Sequence, residues 1–181
     1  MTRTELVDPV ISRAQNTAAQ SNTLPRRTHA AMRREMRARL MQATIETLVE
    51  DGYSATSVQA ICKRAGVSKG ALFRHFRTRL DLVVATARKA YKNMIAEFRH
   101  DFGNIPPGRD LSTTILILMR RIYRRPLYIA LGELHVASRS DTALGEALRP
   151  TFAVYTRGVH SLARAIFPIA AQSNPRFFTV I

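Results

Sequence analysis

The chain has 181 residues, and 28 lysines and arginines outweigh 13 aspartates and glutamates to give a formal charge of +15 and a pI of about 11.3. Such an excess of positive charge favours a polyanionic partner, either nucleic acid or an acidic membrane surface. The single cysteine excludes an intrachain disulfide. No apolar run approaches the ~20 residues that span a bilayer, and no apolar secretion segment begins the chain. We therefore expect a cytoplasmic protein without a membrane partner.

Residues 1–29 are polar and contain two prolines and four arginines. This composition is typical of a mostly disordered arm, because it offers too little apolar surface to offset the entropy of ordering. Two interpretations stay open. The arm is either a solvated tail, or it adds phosphate or minor-groove contacts beside a DNA site, as homeodomain arms do.

The pattern of residues 30–50 predicts the first helix, which Gly52 should end. Its apolar positions fall near helical spacing at Met36, Leu40, Ile45 and Leu48. Four arginines surround its N-terminal half, where positive charge opposes the helix dipole: Arg33, Arg34, Arg37 and Arg39. We expect either a solvated face or phosphates nearby that make this charge tolerable.

Residues 57–76 predict two short helices joined by a tight turn, which is the helix-turn-helix arrangement. Thr56 or Ser57 can cap the first helix with a hydroxyl, and Gly66 can adopt the left-handed conformation that ends it. Ser68 can then cap the second helix. The spacing of that helix puts Leu72 and Phe76 on its inner face, and gives it donors for an acidic polymer at Lys69, Arg74, His75 and Arg77.

The stretch GYSATSVQAICKRAGVSKGALFRHF and its continuation RTRLDLV resemble the N-terminal DNA-binding domain of the TetR family of bacterial transcription regulators. In that family a long first helix ends in Gly–Tyr, an A-G-V-S turn follows, and an aromatic–x–His–Phe motif closes the unit. The resemblance covers about residues 33–90. Three positions depart from the pattern: Phe73 stands where Tyr is usual, Cys62 replaces a small Ala, and Arg79 replaces a Lys while keeping its charge.

The resemblance implies that the second helix enters the DNA major groove while phosphate contacts fix its register. It assigns base reading to Gln59 and Lys69, the latter favouring guanine. The small first turn at Ser68, Gly70 and Ala71 would let the backbone come close to DNA. The implied phosphate-side residues are Ser57, Phe73, His75 and Arg79. An alternative role for His75 is packing and hydrogen bonding within the unit.

A connecting helix is predicted over residues 79–102, beginning near Thr78, and the sequence GNIPPG then breaks the chain. Residues 103–181 predict a helical regulatory and dimerisation domain. We expect Pro126 to end one helix or open the next. We also expect Asp141 to cap a short helix through Leu148, and Pro150 to start another.

The helix after Pro150 carries apolar residues at spacings of 3, 4, 3 and 4, namely Phe152, Tyr155, Val159, Leu162 and Ile166. The pattern suits an ordinary core stripe or a helix–helix dimer interface, and the resemblance favours the dimer. Family members continue with one more long helix, which the 13 residues after Pro168 do not resemble. We therefore expect a shortened domain whose dimer interface is smaller or lost.

An apolar ligand site is predicted in the second domain, from aromatic and Met residues with a few polar groups. Its candidates are Phe98, Met119, Tyr123, Tyr128, His135 and Tyr155. Each of these residues also suits a plain core. Cys62 is expected to be an unreactive thiol, because an apolar site raises its pKa. The spacing of His135 and His160 does not indicate a metal site, and no cofactor is implied.

The sequence thus predicts an all-α protein in which a three-helix helix-turn-helix domain, residues 30–78, precedes a helical ligand-binding domain. We expect a sequence-specific regulator, a ligand-responsive repressor that binds a palindromic operator as a homodimer in the nucleoid. The alternatives are a truncated regulator and a basic DNA-binding protein with little sequence preference and steep salt dependence. No phosphate loop or nucleophile–base motif supports an enzyme.

Overall fold

A computed structural model describes residues 28–105 and 110–166, and this part of the chain contains seven helices and no strand. The all-α prediction is confirmed. The predicted arm over residues 1–27 and the segment after residue 166, where the last helix was expected to be missing, lie outside the described residues. In chain order the helices are α1 His29–Ala55, α2 Val58–Ala65, α3 Lys69–Phe73, α4 Arg79–Gly103, α5 Leu111–Tyr123, α6 Pro126–Ala137 and α7 Thr142–Ile166.

Helix α1 begins at the Thr28 cap, whose hydroxyl accepts from the Ala31 N–H, and it is interrupted at Gly52. Gly52 has φ 75° and ψ 173°, a conformation that glycine adopts at little cost. The predicted break at Gly52 is therefore confirmed, although one further turn follows it, to Ala55. This turn brings Tyr53 back under the start of α4.

The α2–turn–α3 unit follows the predicted local rules. The Ser57 hydroxyl accepts from the Ala60 N–H at 3.1 Å, and the Ser68 hydroxyl accepts from the Ala71 N–H at 3.1 Å. Gly66 between them has φ 61° and ψ 43°, the left-handed conformation that closes α2. The turn is thus fixed by three residues, two caps and one glycine.

Helix α3 is shorter than the sequence predicts, because it ends at Phe73. The N–H of His75 bonds the Leu72 carbonyl, three residues back, and this tightened turn directs Phe76 into the core, where it is 4% exposed. Arg74, His75 and Arg77, predicted to lie on this helix, therefore follow it.

The first three helices and the start of α4 enclose one core. Its buried residues come from these four helices and from the turn after α3: Leu40, Ala43, Ile61, Cys62, Ala65, Leu72, Phe76 and Leu82. Helix α3 supplies only Leu72, which is fully buried. This core fixes the orientation of α3 on the protein surface.

A second core lies between α1, α4, α5, α6 and α7. Helix α6 packs on α1, and α7 packs along α4. The buried residues are Leu48, Tyr53, Val83, Ala87, Ala90, Tyr91, Met94, Phe98, Ile122, Ala130, Leu131, Leu134, Leu144 and Leu148. Helices α1 and α4 contribute to both cores, so the two parts of the chain share two long helices.

Helix α7 corrects one boundary prediction. Asp141 caps it as expected, accepting from the Leu144 N–H at 2.9 Å, but Pro150 lies inside the helix and does not start a new one. Proline removes one helical hydrogen bond. The helix continues because Leu148 and Thr151, on either side of the proline, are both buried against the rest of the chain. Pro126, by contrast, opens α6 at its first turn.

Candidate nucleic-acid interface

The start of α3 forms an exposed surface together with the start of α2. Ser57, Gln59, Ser68, Lys69 and Gly70 are exposed, Ala71 is half-buried, and the Phe73 ring is 48% exposed. The arrangement follows from the packing of α3, since Leu72 faces the core and directs the preceding turn outward. The predicted base-reading residues Gln59 and Lys69 are thus both exposed, and their contact with bases stays a prediction.

The two capping serines can also contact a polyanion. Each hydroxyl oxygen accepts one backbone N–H, at Ala60 for Ser57 and at Ala71 for Ser68. A hydroxyl has one donor and two acceptor sites. The capping bond uses an acceptor site, so the O–H of each serine is suited to donate to a phosphate oxygen.

A basic cluster lies where α1 meets the turn after α3. The Arg37 guanidinium donates to the His75 carbonyl at 2.6 Å and lies over the Phe76 ring, 4.1 Å from its centroid. Burial lowers the pKa of His75, and the positive charges of Arg33, Arg37 and Arg74 lower it further. His75 is therefore neutral at physiological pH and half-buried. This setting favours packing of His75 over a charged phosphate contact. Arg37 is therefore a better candidate than His75 for a contact with a phosphate.

Arg79 is held by the end of α1. Its Nη1 donates to the Thr56 carbonyl at 2.9 Å and to the Tyr53 carbonyl at 3.3 Å, and its Nη2 donates to the Tyr53 hydroxyl at 2.9 Å. The guanidinium also lies 4.5 Å from the centroid of the Tyr53 ring. These contacts tie α4 to α1, whereas the phosphate contact implied for Arg79 stays a prediction.

Sequence reasoning missed the continuation of this contact. The Tyr53 hydroxyl donates to Asp141 Oδ2 at 3.1 Å, across 88 residues of sequence. Asp141 was identified only as a helix cap, and Tyr53 only as half of a Gly–Tyr pair. No local spacing relates the two residues, so the sequence carries a signal for each of them separately and none for their contact.

A cavity of about 300 Å³ lies between α4, α5, α6 and α7. Its lining includes five of the six predicted ligand residues, Phe98, Met119, Tyr123, Tyr128 and Tyr155. His135 is not among them, because it lies two turns further along α6 than Tyr128 and places its ring 5.3 Å from that of Phe152. Thr156 and His160 of α7 also line the cavity and were not predicted.

The described lining of the cavity is aromatic and contains no carboxylate, lysine or arginine. The Tyr128 ring lies 5.0 Å from Tyr123 and 6.2 Å from Phe98. Burial raises the pKa of both Tyr128 and Tyr155, so both phenols are neutral at physiological pH. The His160 Nε2 is buried and has no hydrogen-bond partner among the described residues. The described lining therefore offers phenol, hydroxyl and imidazole groups to a ligand.

The predicted dimer seam of α7 faces its own chain. The Phe152 and Tyr155 rings lie 5.6 and 4.4 Å from the Tyr91 ring of α4. Tyr155, Val159, Leu162 and Ile166 line the cavity. This placement agrees with the core-stripe interpretation, and a role of these residues in dimerisation stays a prediction.

Cys62 is buried in the first core, and burial raises the pKa of its thiol. A thiol with a raised pKa carries little thiolate at neutral pH, and the thiolate is the reactive form. The expectation that Cys62 is unreactive agrees with this site. Separately, none of the helices described is both long and apolar enough to cross a membrane.

Comparisons with known proteins agree with this geometry. The sequence profile of the bacterial regulatory proteins of the tetR family matches residues 40–86, which include α2 and α3. An uncharacterized HTH-type transcriptional regulator of Mycobacterium bovis, Mb2936c, is 40% identical over 155 residues, covering 86% of this chain and 79% of the relative. The HTH-type transcriptional repressor KstR of Rhodococcus jostii is 26% identical over 119 residues, covering 66% of this chain and 48% of KstR.

Among solved structures, the multidrug binding protein EbrR complexed with imidazole superposes with a TM-score of 0.55 at 26% identity, covering 71% of each chain. The similarity extends beyond the helix-turn-helix into the helices around the cavity. The 40% identity to a regulator over most of both chains, together with the profile match, establishes the relationship. The chain therefore belongs to the TetR family of bacterial regulatory proteins, and it is a DNA-binding transcriptional regulator.

Proposed function

We propose that the protein is a ligand-responsive repressor that binds a palindromic operator as a homodimer and acts on nucleoid DNA in the cytoplasm. The observation that carries the proposal is the exposed first turn of α3, held outward by buried Leu72. In this proposal Gln59 and Lys69 read bases, and Gly70 and Ala71 allow close approach. Contacts to the DNA backbone come from Ser57, Ser68, Phe73 and Arg79, with Arg37 added, whereas His75 contributes by packing within the unit.

The repressor assignment is supported by the relative KstR, which is a repressor. A TetR-type dimer would place its two recognition helices roughly 34–36 Å apart or a multiple of that distance, so its operator would be a palindrome. A ligand can release the protein from its operator only if it binds the DNA-bound and the free conformations of the protein with different affinities.

Selection of bound duplexes from a randomised DNA pool, at near-physiological salt, tests this proposal. We expect enrichment of a palindrome with two half-sites about one helical turn or a multiple apart. Enrichment of a single half-site would indicate a regulator that no longer dimerises. No enrichment, with affinity that falls steeply with salt, would indicate binding by charge alone.

The cavity is proposed as the effector site, and a lining without carboxylates, lysines or arginines favours an uncharged aromatic ligand with one hydroxyl or carbonyl group. The similar protein EbrR, which binds multiple drugs, supports a small-molecule site in these helices. The buried Nε2 of His160 is the group suited to bond the ligand's polar atom.

Naphthol, a neutral bicyclic phenol, is a suitable probe of this cavity. We expect saturating naphthol to raise the melting temperature, because a ligand that binds only the folded state stabilises it. Ala163→Phe should fill the cavity and remove this rise, whereas Ala153→Phe, on an exposed position of the same helix, should keep it. An equal rise in both variants would place the naphthol site elsewhere.

A further inference from the structure

Four helices meet through one continuous chain of hydrogen bonds near the helix-turn-helix. Asp141, before α7, accepts from the Tyr53 hydroxyl of α1 at 3.1 Å. That hydroxyl accepts from Arg79 of α4 at 2.9 Å, and Arg79 also donates to the Thr56 carbonyl at 2.9 Å. Thr56 directly precedes Ser57, the cap of α2. This series of hydrogen bonds therefore joins the start of α7 to the start of α2.

Asp141 uses both carboxylate oxygens in this arrangement. Its Oδ1 caps α7 by accepting from the Leu144 N–H, and its Oδ2 accepts from Tyr53. The Leu144 N–H lowers the pKa of Asp141 most strongly, and the Tyr53 hydroxyl and Arg79 lower it further. The carboxylate is consequently ionised at physiological pH, which strengthens the hydrogen bond from Tyr53.

The series of hydrogen bonds ends at Thr56, which is held by contacts of its own. Thr56 is fully buried, and its hydroxyl donates to the Gly52 carbonyl at 2.6 Å. Arg79 bonds the backbone of this residue and not a mobile side chain. A displacement of Arg79 that keeps this bond moves the backbone that leads into α2.

Helices α4 and α7 connect this junction to the cavity. Each has 25 residues, which corresponds to a length of about 37 Å. Both begin at the junction, and both line the cavity with residues further along, Phe98 on α4 and Tyr155 on α7. Because the two helices pack along each other, a change in their separation at the cavity alters their relation at the junction.

We propose that Asp141 and Tyr53 are positioning residues for DNA binding, which hold α2 and α3 in the reading orientation through Arg79 and Thr56. Neither residue needs to touch DNA. These hydrogen bonds also give the cavity a physical route to the helix-turn-helix, since α7 begins at its Asp141 cap and lines the cavity further along. The expected effect on operator affinity rests on the proposed function, whereas the expected effect on α2 rests on the geometry alone.

Asp141→Ser and Asp141→Asn form a matched pair for testing this role. Both can cap α7, and both remove the same charge. The asparagine oxygen can cap α7 while its amide NH2 donates to the Tyr53 phenol oxygen, whereas the serine side chain is too short to reach Tyr53. Tyr53→Phe removes the hydroxyl and keeps the ring under Arg79, and Tyr91→Phe in the second core serves as its control.

Affinity for the selected operator is the first readout. We expect Asp141→Ser to lose roughly 3- to 30-fold relative to Asp141→Asn, the size of a typical coupling between distant sites. Affinity for an unrelated duplex should be equal in the two variants. In the Tyr53→Phe background, Asp141→Ser and Asp141→Asn should bind the operator equally, because the hydrogen bond that distinguishes them is already lost.

Amide hydrogen exchange of the DNA-free protein is the second readout. Exchange in α2 should be faster in Asp141→Ser than in Asp141→Asn, with the first turn of α7 unchanged. Equal exchange in α2 for both variants, or equal operator affinity, would overturn the positioning role. If the wild-type protein prefers no operator, the proposed function fails, and the exchange comparison still decides the role of Asp141.

Discussion

Leu72→Ala should destabilise the helix-turn-helix by about 3 kcal/mol, since removing a fully buried leucine costs roughly 2–5 kcal/mol in a core that cannot collapse around the gap. Leu72 is 0% exposed and is the only buried residue of α3. A helix of five residues has no stability of its own in water. Without this anchor α3 leaves its place, and binding of DNA should be lost with it.

Urea unfolding followed by circular dichroism measures this loss. We expect a midpoint lower by roughly 1–2 M urea. Leu116→Ala is the matched control, because Leu116 on α5 is 69% exposed and surface substitutions change stability by about 0.5 kcal/mol or less. If both leucine variants unfolded at the same urea concentration, the packing of Leu72 would not be what holds α3.

Features that depend on neighbours in sequence were predictable. The caps at Ser57 and Ser68 and the left-handed Gly66 each follow from the chemistry of one residue and the next three. The start of α4 near Thr78 was also predicted, and the structure adds a capping box between Thr78 and Asp81 there. These rules located α2 and the start of α3 correctly.

Features that depend on distant packing were not predictable. Local rules start a helix at Pro150, yet the burial of Leu148 and Thr151 carries α7 through it. An apolar stripe with spacings of 3 and 4 suits a core and a dimer seam equally, and only the rings of α4 show which side it faces. The Tyr53–Asp141 contact spans 88 residues, so no local pattern encodes it.

Arg79 illustrates the same limit for the candidate site. A basic residue at the start of α4 suits a phosphate contact by charge alone, and the resemblance supports that role. Its guanidinium instead has three protein oxygens within hydrogen-bonding distance. The net charge of the sequence predicts that the surface binds a polyanion. The role of each arginine, by contrast, depends on the carbonyl groups that lie near it in the fold.

Lys69→Ala should reduce affinity for the selected operator by about tenfold or more, while affinity for an unrelated duplex falls only slightly. Lys69 is the first residue of α3 and is exposed. A lysine that bonds guanine O6 and N7 gives roughly 1–3 kcal/mol of discrimination against another base. Its loss therefore reduces the preference for one sequence over others more than it reduces attraction to DNA in general.

Lys89→Ala is the charge-matched control, because Lys89 is an exposed lysine on α4 and either variant lowers the formal charge from +15 by one, to +14. Binding measured at several salt concentrations separates base reading from phosphate contact. Removal of one phosphate contact lowers the salt slope by about 0.9 and weakens all duplexes alike. If Lys69→Ala gave that result, Lys69 would contact the DNA backbone, and Gln59 would remain as the base reader at this surface.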